Sequence, residues 1–208
     1  MEAANRFFRS VPSWSIYLAG AALAAWMIFL ALSGGAGPDP VKALERGFGE
    51  RGLQLLIAAL CITPLRWVGL NLIKFRRAVG LVGFGFVLLH FASWLTLDMG
   101  LRWAEIVNDL VKRPYIIIGF AAFLALVPLA ITSNNVAIRR MGAASWKRLH
   151  RLAYPATVAG AVHFVMIGKV YTLQSSLYLA AVVALLAIRW WKTRPKPLGI
   201  GQMVPRRR

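Results

Sequence analysis

Six long apolar runs divide this chain, and polar or basic residues gather between them. The runs cover residues 14–32, 52–65, 79–97, 115–131, 152–168 and 173–191. A bilayer core takes about 20 apolar residues per helix, so each run is a candidate span. Arg6 and Arg9 precede the first run, as in a secretory signal, but its 19 residues exceed an ordinary signal core. The following "SGGAGPDP" reads as a turn rather than a cleavage site, so the first run is expected to be a retained span. The second is short, with Arg51 and Arg66 placed to snorkel from its ends. No stretch alternates with a period of two, and no internal repeat is visible. The pattern predicts an all-α polytopic membrane bundle of six transmembrane helices over residues 14–191. Residues 1–13 would form a cytoplasmic N-terminus and residues 192–208 a basic cytoplasmic tail.

Composition agrees and charge adds direction. The chain is 59% hydrophobic and 15% charged, with a mean hydropathy of +0.62. A net charge of +18 suggests nucleic acid until its distribution is read. Two Lys or Arg lie in the N-terminus, four in each of the second and fourth loops, and seven from Arg189 onward. The first, third and fifth loops hold seven together, along with six of the seven acids. This is the positive-inside pattern, which places both termini in the cytoplasm and excludes a nucleic-acid partner. The terminal "RRR" is expected to touch anionic membrane lipid. The tail is too short for a flavin or nicotinamide domain. "GLVGFG" lies inside an apolar run with no strand before it, so it reads as close helix packing and not as a dinucleotide loop. The lone Cys61 cannot form an internal disulfide or a cysteine metal motif, and reads as a small buried residue.

The three histidines carry the chemistry, because ionisable groups inside spans are functional candidates. His90 lies 11 residues past Val79, and His163 lies 11 past Leu152. Their helices run in the same direction, so the two imidazoles fall at similar depths. That suits two axial ligands of one haem iron, with no position left open for oxygen or substrate. His150 stands 13 residues before His163, and the residue at the same offset from His90 is Arg77. Arginine is a poor iron ligand and a good partner for a haem propionate. A second haem there would have one imidazole and an unusual or absent second ligand. On an ideal helix His150 and His163 would face about 140° apart. A kink at Pro155 or two separate sites would reconcile them. Gly80, Gly83, Gly85 and Gly160 could admit a flat macrocycle, and Phe84, Phe86, Phe91 and Phe164 could pack on it. Arg76, Arg77, Arg148 and Arg151 could meet propionates.

Four segments resemble the MsrQ (YedZ) family, the haem-binding membrane subunits of a bacterial protein-methionine-sulfoxide reductase system. They are "ALERGFGERGLQLLIAALCITPLR", "RRAVGLVGFGFVLLHFASWLTLD", "KRPYIIIGF…LALVPLAITS" and "WKRLHRLAYPA…HF". The resemblance spans nearly the whole chain and extends to ferric reductases and NADPH oxidases. It implies a b-type cytochrome of the bacterial inner membrane, with one or two haems. That cytochrome would take electrons from the quinone pool and pass them to a periplasmic molybdopterin enzyme, MsrP. His90, His150 and His163 match the family's haem ligands, whereas Arg77 departs from the four histidines of ferric reductases. FMN is implied by the resemblance alone.

No catalytic residue is expected in such an electron-transfer subunit. "PDPVKALERGFGE" and "DMGLRWAEIVNDLVKRP" can each hold a short amphipathic helix, either as docking surfaces or as connectors. Two other readings compete. One is a ferric-reductase-like cytochrome acting on metal or oxygen and fed by a separate cytoplasmic flavin reductase. The other is a small transporter or scaffold whose histidines are structural or carry protons.

Overall fold

A computed structural model describes residues 1–168 and 172–194, and within them every one of the six apolar runs is helical. The spanning set is α2 (Ser15–Leu32), α3 (Pro40–Trp67), α4 (Arg76–Ser93), α6 (Pro114–Ile131), α9 (Ala153–Ile167) and α10 (Leu173–Thr193). Shorter helices join them: α1 (Glu2–Ser10), α5 (Trp103–Lys112), α7 (Asn135–Met141) and α8 (Ala143–Leu149). Among the described residues the chain is helix and turn throughout, and a membrane helical bundle follows from it. Part of the tail, residues 195–208, lies outside the described residues.

Six full spans are not what the structure gives. Among the described residues, five helices are long and apolar enough to cross a membrane. The remaining one, α9, has 15 residues and reaches about 22 Å, short of a hydrocarbon core of about 30 Å. A 3₁₀ turn, His150–Leu152, joins it to α8 and takes the first residue of the expected run, Leu152. The second run is corrected in the other direction. Instead of a short span after a separate interfacial helix, Pro40–Trp67 is one helix of 28 residues. Asp39 starts it by accepting from the Lys42 N–H at 3.0 Å, and Pro40 occupies the first turn, where a missing N–H costs nothing. The "DMGLRWAEIVNDLVKRP" segment does hold a separate amphipathic helix, α5.

α3 and α4 form the central pair. A methyl at Gly52 would sit 2.8 Å from Val87, and one at Gly83 would sit 3.1 Å from Leu55. Only hydrogen at these two positions allows so close an approach. The expectation for "GLVGFG" therefore holds at Gly83 but not at Gly80 or Gly85, where a methyl would meet open space. α6 packs on α9, and α10 closes the bundle against α9 and α3. Leu56, Leu126, Leu129 and Ala156 form one buried cluster, and Leu53, Ala161 and Val182 another. Large apolar side chains such as Trp26, Leu124, Leu177 and Val183 stay exposed on the outer faces, as lipid contact requires.

The two ends of the bundle differ in charge. At the basic end α1 is latched to the α3–α4 connection. Asn5 donates to the Gly69 carbonyl at 2.8 Å and accepts from the Asn71 N–H at 2.9 Å. Lys74 donates to the carbonyls of Arg9 and Val11. Nearby, Pro64 removes the N–H that would pair with Leu60 in α3, and Arg189 of α10 donates to that freed carbonyl. The acidic end carries Glu45, Asp98, Glu105 and Asp109.

Candidate functional site

His90 projects from the last turn of α4 toward α3. Its ring lies over Gly49, where a methyl would come within 3.0 Å of Nδ1. Nδ1–H donates to the Glu45 carbonyl at 2.7 Å. An in-helix carbonyl accepts only, so this bond fixes the proton on Nδ1 and leaves Nε2 as a free lone pair. His163 in α9 repeats the arrangement against α6. Its ring lies over Gly119, where a methyl would be 2.6 Å from Nδ1, and Nδ1–H donates to the Tyr115 carbonyl at 2.7 Å.

The two rings stand 6.1 Å apart, centre to centre, with planes crossed at 67°. Neither Nε2 has a hydrogen-bond partner among the described residues. With imidazole–metal bonds of about 2 Å, two imidazoles on opposite sides of one metal ion place their ring centres roughly 6 Å apart. The spacing and the two free Nε2 atoms thus fit one metal ion held axially from both sides, such as the iron of a planar macrocycle. A carbonyl on each Nδ1–H also makes the imidazole a stronger donor and fixes its orientation.

His150 sits elsewhere and is held differently. It belongs to the 3₁₀ turn at the basic end, stacked on Trp146 with ring centres 3.8 Å apart. Its Nε2 meets the Thr132 hydroxyl at 3.0 Å. That hydroxyl donates its one proton to the Pro128 carbonyl at 2.6 Å, so His150 Nε2–H is the donor to Thr132. The tautomer is opposite to that of the acidic-end pair. Burial lowers the His150 pKa below the usual imidazole value, and the charges of Arg76 and Arg77 lower it further. Arg76 and Arg77 are thus both within electrostatic range of His150. Of the two ways to reconcile His150 with His163, a kink at Pro155 is not needed, because the helix starts at Ala153 and places Pro155 in its first turn. The 3₁₀ turn separates the two histidines instead.

Of the expected pocket aromatics, Phe91 and Phe84 stack on Phe123 of α6 with centres 4.7 and 6.1 Å apart. Phe86 is buried against Phe48 of α3, and Phe164 packs on Tyr178 of α10. A methyl at Gly160 would reach only Leu53, at 3.9 Å. The glycines that cradle the imidazoles are Gly49 and Gly119, which the sequence reading missed together with the Glu45 and Tyr115 carbonyls. Backbone acceptors carry no residue-type signal, and neither glycine lies near a histidine in sequence.

Residues 49–161 match the family described as "Ferric reductase like transmembrane component". A protein of Agrobacterium fabrum named "Protein-methionine-sulfoxide reductase heme-binding subunit MsrQ" is 44% identical over 183 residues, covering 88% of this chain and 85% of that protein. Proteins of the same name from Brucella anthropi and Brucella ovis are each 43% identical, covering 88% of this chain and 82% of their own length. No solved structure matches the chain.

Proposed function

From the premise that the chain belongs to the MsrQ family of ferric-reductase-like membrane subunits, we propose that it holds haem b between His90 and His163 and relays electrons across the outer half of the inner membrane. The donor is the quinone pool, and the acceptor is a periplasmic molybdopterin-dependent methionine sulfoxide reductase, MsrP. One observation carries this reading: two imidazoles from different helices, 6.1 Å apart, each with Nδ1–H bound to a carbonyl and Nε2 free.

Bound haem supplies one-electron redox chemistry. The residues of this chain decide what that chemistry is used for. Haem iron held by both His90 and His163 would have no site left for oxygen or substrate. Gly49 and Gly119 let the rings sit against α3 and α6. Phe84, Phe91 and Phe123 give the neighbouring wall an apolar, water-excluding surface. The positive-inside pattern puts the pair on the periplasmic half and both termini in the cytoplasm. His150, with Arg76 and Arg77, forms a cationic cytoplasmic-side position suited to carboxylates such as propionates, and while it donates Nε2–H to Thr132 its lone pair lies on Nδ1. The flavin that the resemblance implies has no residue set here that we assign to it.

The test is a reduced-minus-oxidised spectrum and a pyridine haemochrome assay on the purified protein, followed by quinol-driven reduction with and without MsrP. A b-type spectrum whose re-oxidation requires MsrP supports the relay. Re-oxidation by ferric chelates without MsrP would favour the ferric-reductase-like alternative fed by a cytoplasmic flavin reductase. Colourless protein from haem-replete cells would remove both.

A further inference from the structure

Five residues after the last α-helical turn of α4 form a π turn, Trp94–Asp98. Such turns are rare and frequently mark functional sites. The angular consequence here is specific. From His90, three α-helical steps of about 100° and five π steps of roughly 80° bring Asp98 to within about 20° of the His90 direction. Eight uninterrupted α-helical steps would leave it about 80° away. The π turn therefore returns Asp98 to the face of α4 that looks at α3.

What it meets there is Lys42. The ammonium lies 2.6 Å from Asp98 Oδ2 and 3.2 Å from Glu45 Oε2, with the Asp98 side chain 25% exposed. Lys42 is fixed at its own end, since its backbone N–H is capped by Asp39. Glu45, one turn further along α3, supplies the carbonyl that accepts His90 Nδ1–H. The ion pair thus ties the segment just beyond His90 to the turn of α3 that orients His90. The pair lines a polar hollow of about 360 Å³ at the acidic end, shared with Asp109 and Arg113.

We propose that Lys42 and Asp98 are positioning residues for His90: their ion pair, made possible by the π turn, holds the Glu45 carbonyl on Nδ1–H and so sets the orientation and donor strength of Nε2. The inference rests on the reading that His90 is an axial haem ligand. A carbonyl held firmly on Nδ1–H makes the imidazole a stronger donor and favours the oxidised metal. Releasing it makes the site easier to reduce.

The experiment compares haem-loaded full-length wild type, K42M, D98N, the exchanged pair K42D/D98K, and R102Q. Arg102 pairs with Glu105 in the same hollow at 2.8 Å, but that pair touches nothing that holds a histidine, so R102Q controls for charge alone. Readouts are the low-spin ferric EPR signal, the reduction equilibrium by potentiometric titration, and haem retention. K42M and D98N are expected to move the EPR g-values and to raise the reduction equilibrium constant by about tenfold, the low end for outer-shell changes. R102Q leaves all three readouts as in wild type, and the exchanged pair returns toward wild type. Unchanged g-values and reduction equilibrium in K42M and D98N would overturn the proposal. If both single variants lose haem altogether, recovery by the exchanged pair supports the pairing and failure to recover overturns it. A wild type without a bis-imidazole low-spin signal would instead overturn the haem reading itself.

Discussion

Two imidazole sites in this molecule use the same residue type to opposite effect. At the acidic end, His90 and His163 give Nδ1–H to backbone carbonyls and keep Nε2 free. At the basic end, His150 gives Nε2–H to Thr132 and stacks on Trp146. The difference lies in the second partner of each ring. A carbonyl cannot donate, so it fixes one tautomer and presents a lone pair on the far nitrogen. A threonine hydroxyl whose proton is already committed takes Nε2–H and leaves the lone pair on Nδ1, beside the ring's own attachment to the backbone. Which nitrogen can bind metal is thus decided one bond away from the histidine.

The largest test of that contrast is deletion. H90A and H163A should each abolish the bis-imidazole low-spin signal, because one remaining ligand cannot fill both axial positions. H150A should retain it. Absorption and EPR spectra of the three purified variants decide the matter, and loss of the signal in H150A alone would invert the assignment.

A smaller effect is expected from the ring cradles. In G119A the new methyl would fall 2.6 Å from His163 Nδ1, and in G49A 3.0 Å from His90 Nδ1. Each should cost about 1–3 kcal/mol by overpacking, with G119A the worse. Each should also displace a ring and weaken haem retention. G80A, which places its methyl in open space, should be neutral on both counts. Thermal midpoints and haem-to-protein ratios in one detergent separate the three.

The smallest effect concerns pH. Burial, followed by the charges of Arg76 and Arg77, lowers the His150 pKa in the folded protein. The unfolded chain therefore binds the proton more tightly, and the contribution of His150 to stability is complete above its unfolded value of about 6.5. It is lost as pH falls through the lower, folded value. Wild type should lose thermal stability across that acid range more steeply than H150N. Equal slopes would show that the imidazole is not held neutral.

Much of this was legible in the residue pattern. The apolar runs located all six helices of the bundle, since a bilayer demands length and hydropathy that composition displays directly. The equal offsets of His90 and His163 put them at one depth, because helical rise per residue is constant. Where periodicity was the only guide, the reading slipped. The 28 residues of α3 looked like a short interfacial helix and a short span, because Glu45, Arg46, Glu50 and Arg51 interrupt the apolar pattern. In the bundle Glu45 pairs with Lys42, while Glu50 accepts hydrogen bonds from Gln54, Gln174 and Tyr178, so one helix accommodates them. Pro155, which left a kink and two separate sites equally open, is a first-turn residue.

By itself the sequence determined a basic and an acidic end, a set of apolar helices, and the identity and depth of the imidazoles. These depend on local composition and on helical rise. Only the tertiary structure decided which nitrogen of each imidazole is free, which glycines make room for the rings, and that a π turn brings Asp98 to Lys42. Those outcomes depend on backbone carbonyls and on side-chain neighbours 18 to 56 residues distant in the chain. Every residue has a carbonyl, so its use as a second partner leaves no mark in the sequence. It becomes visible only when packing sets one helix against another.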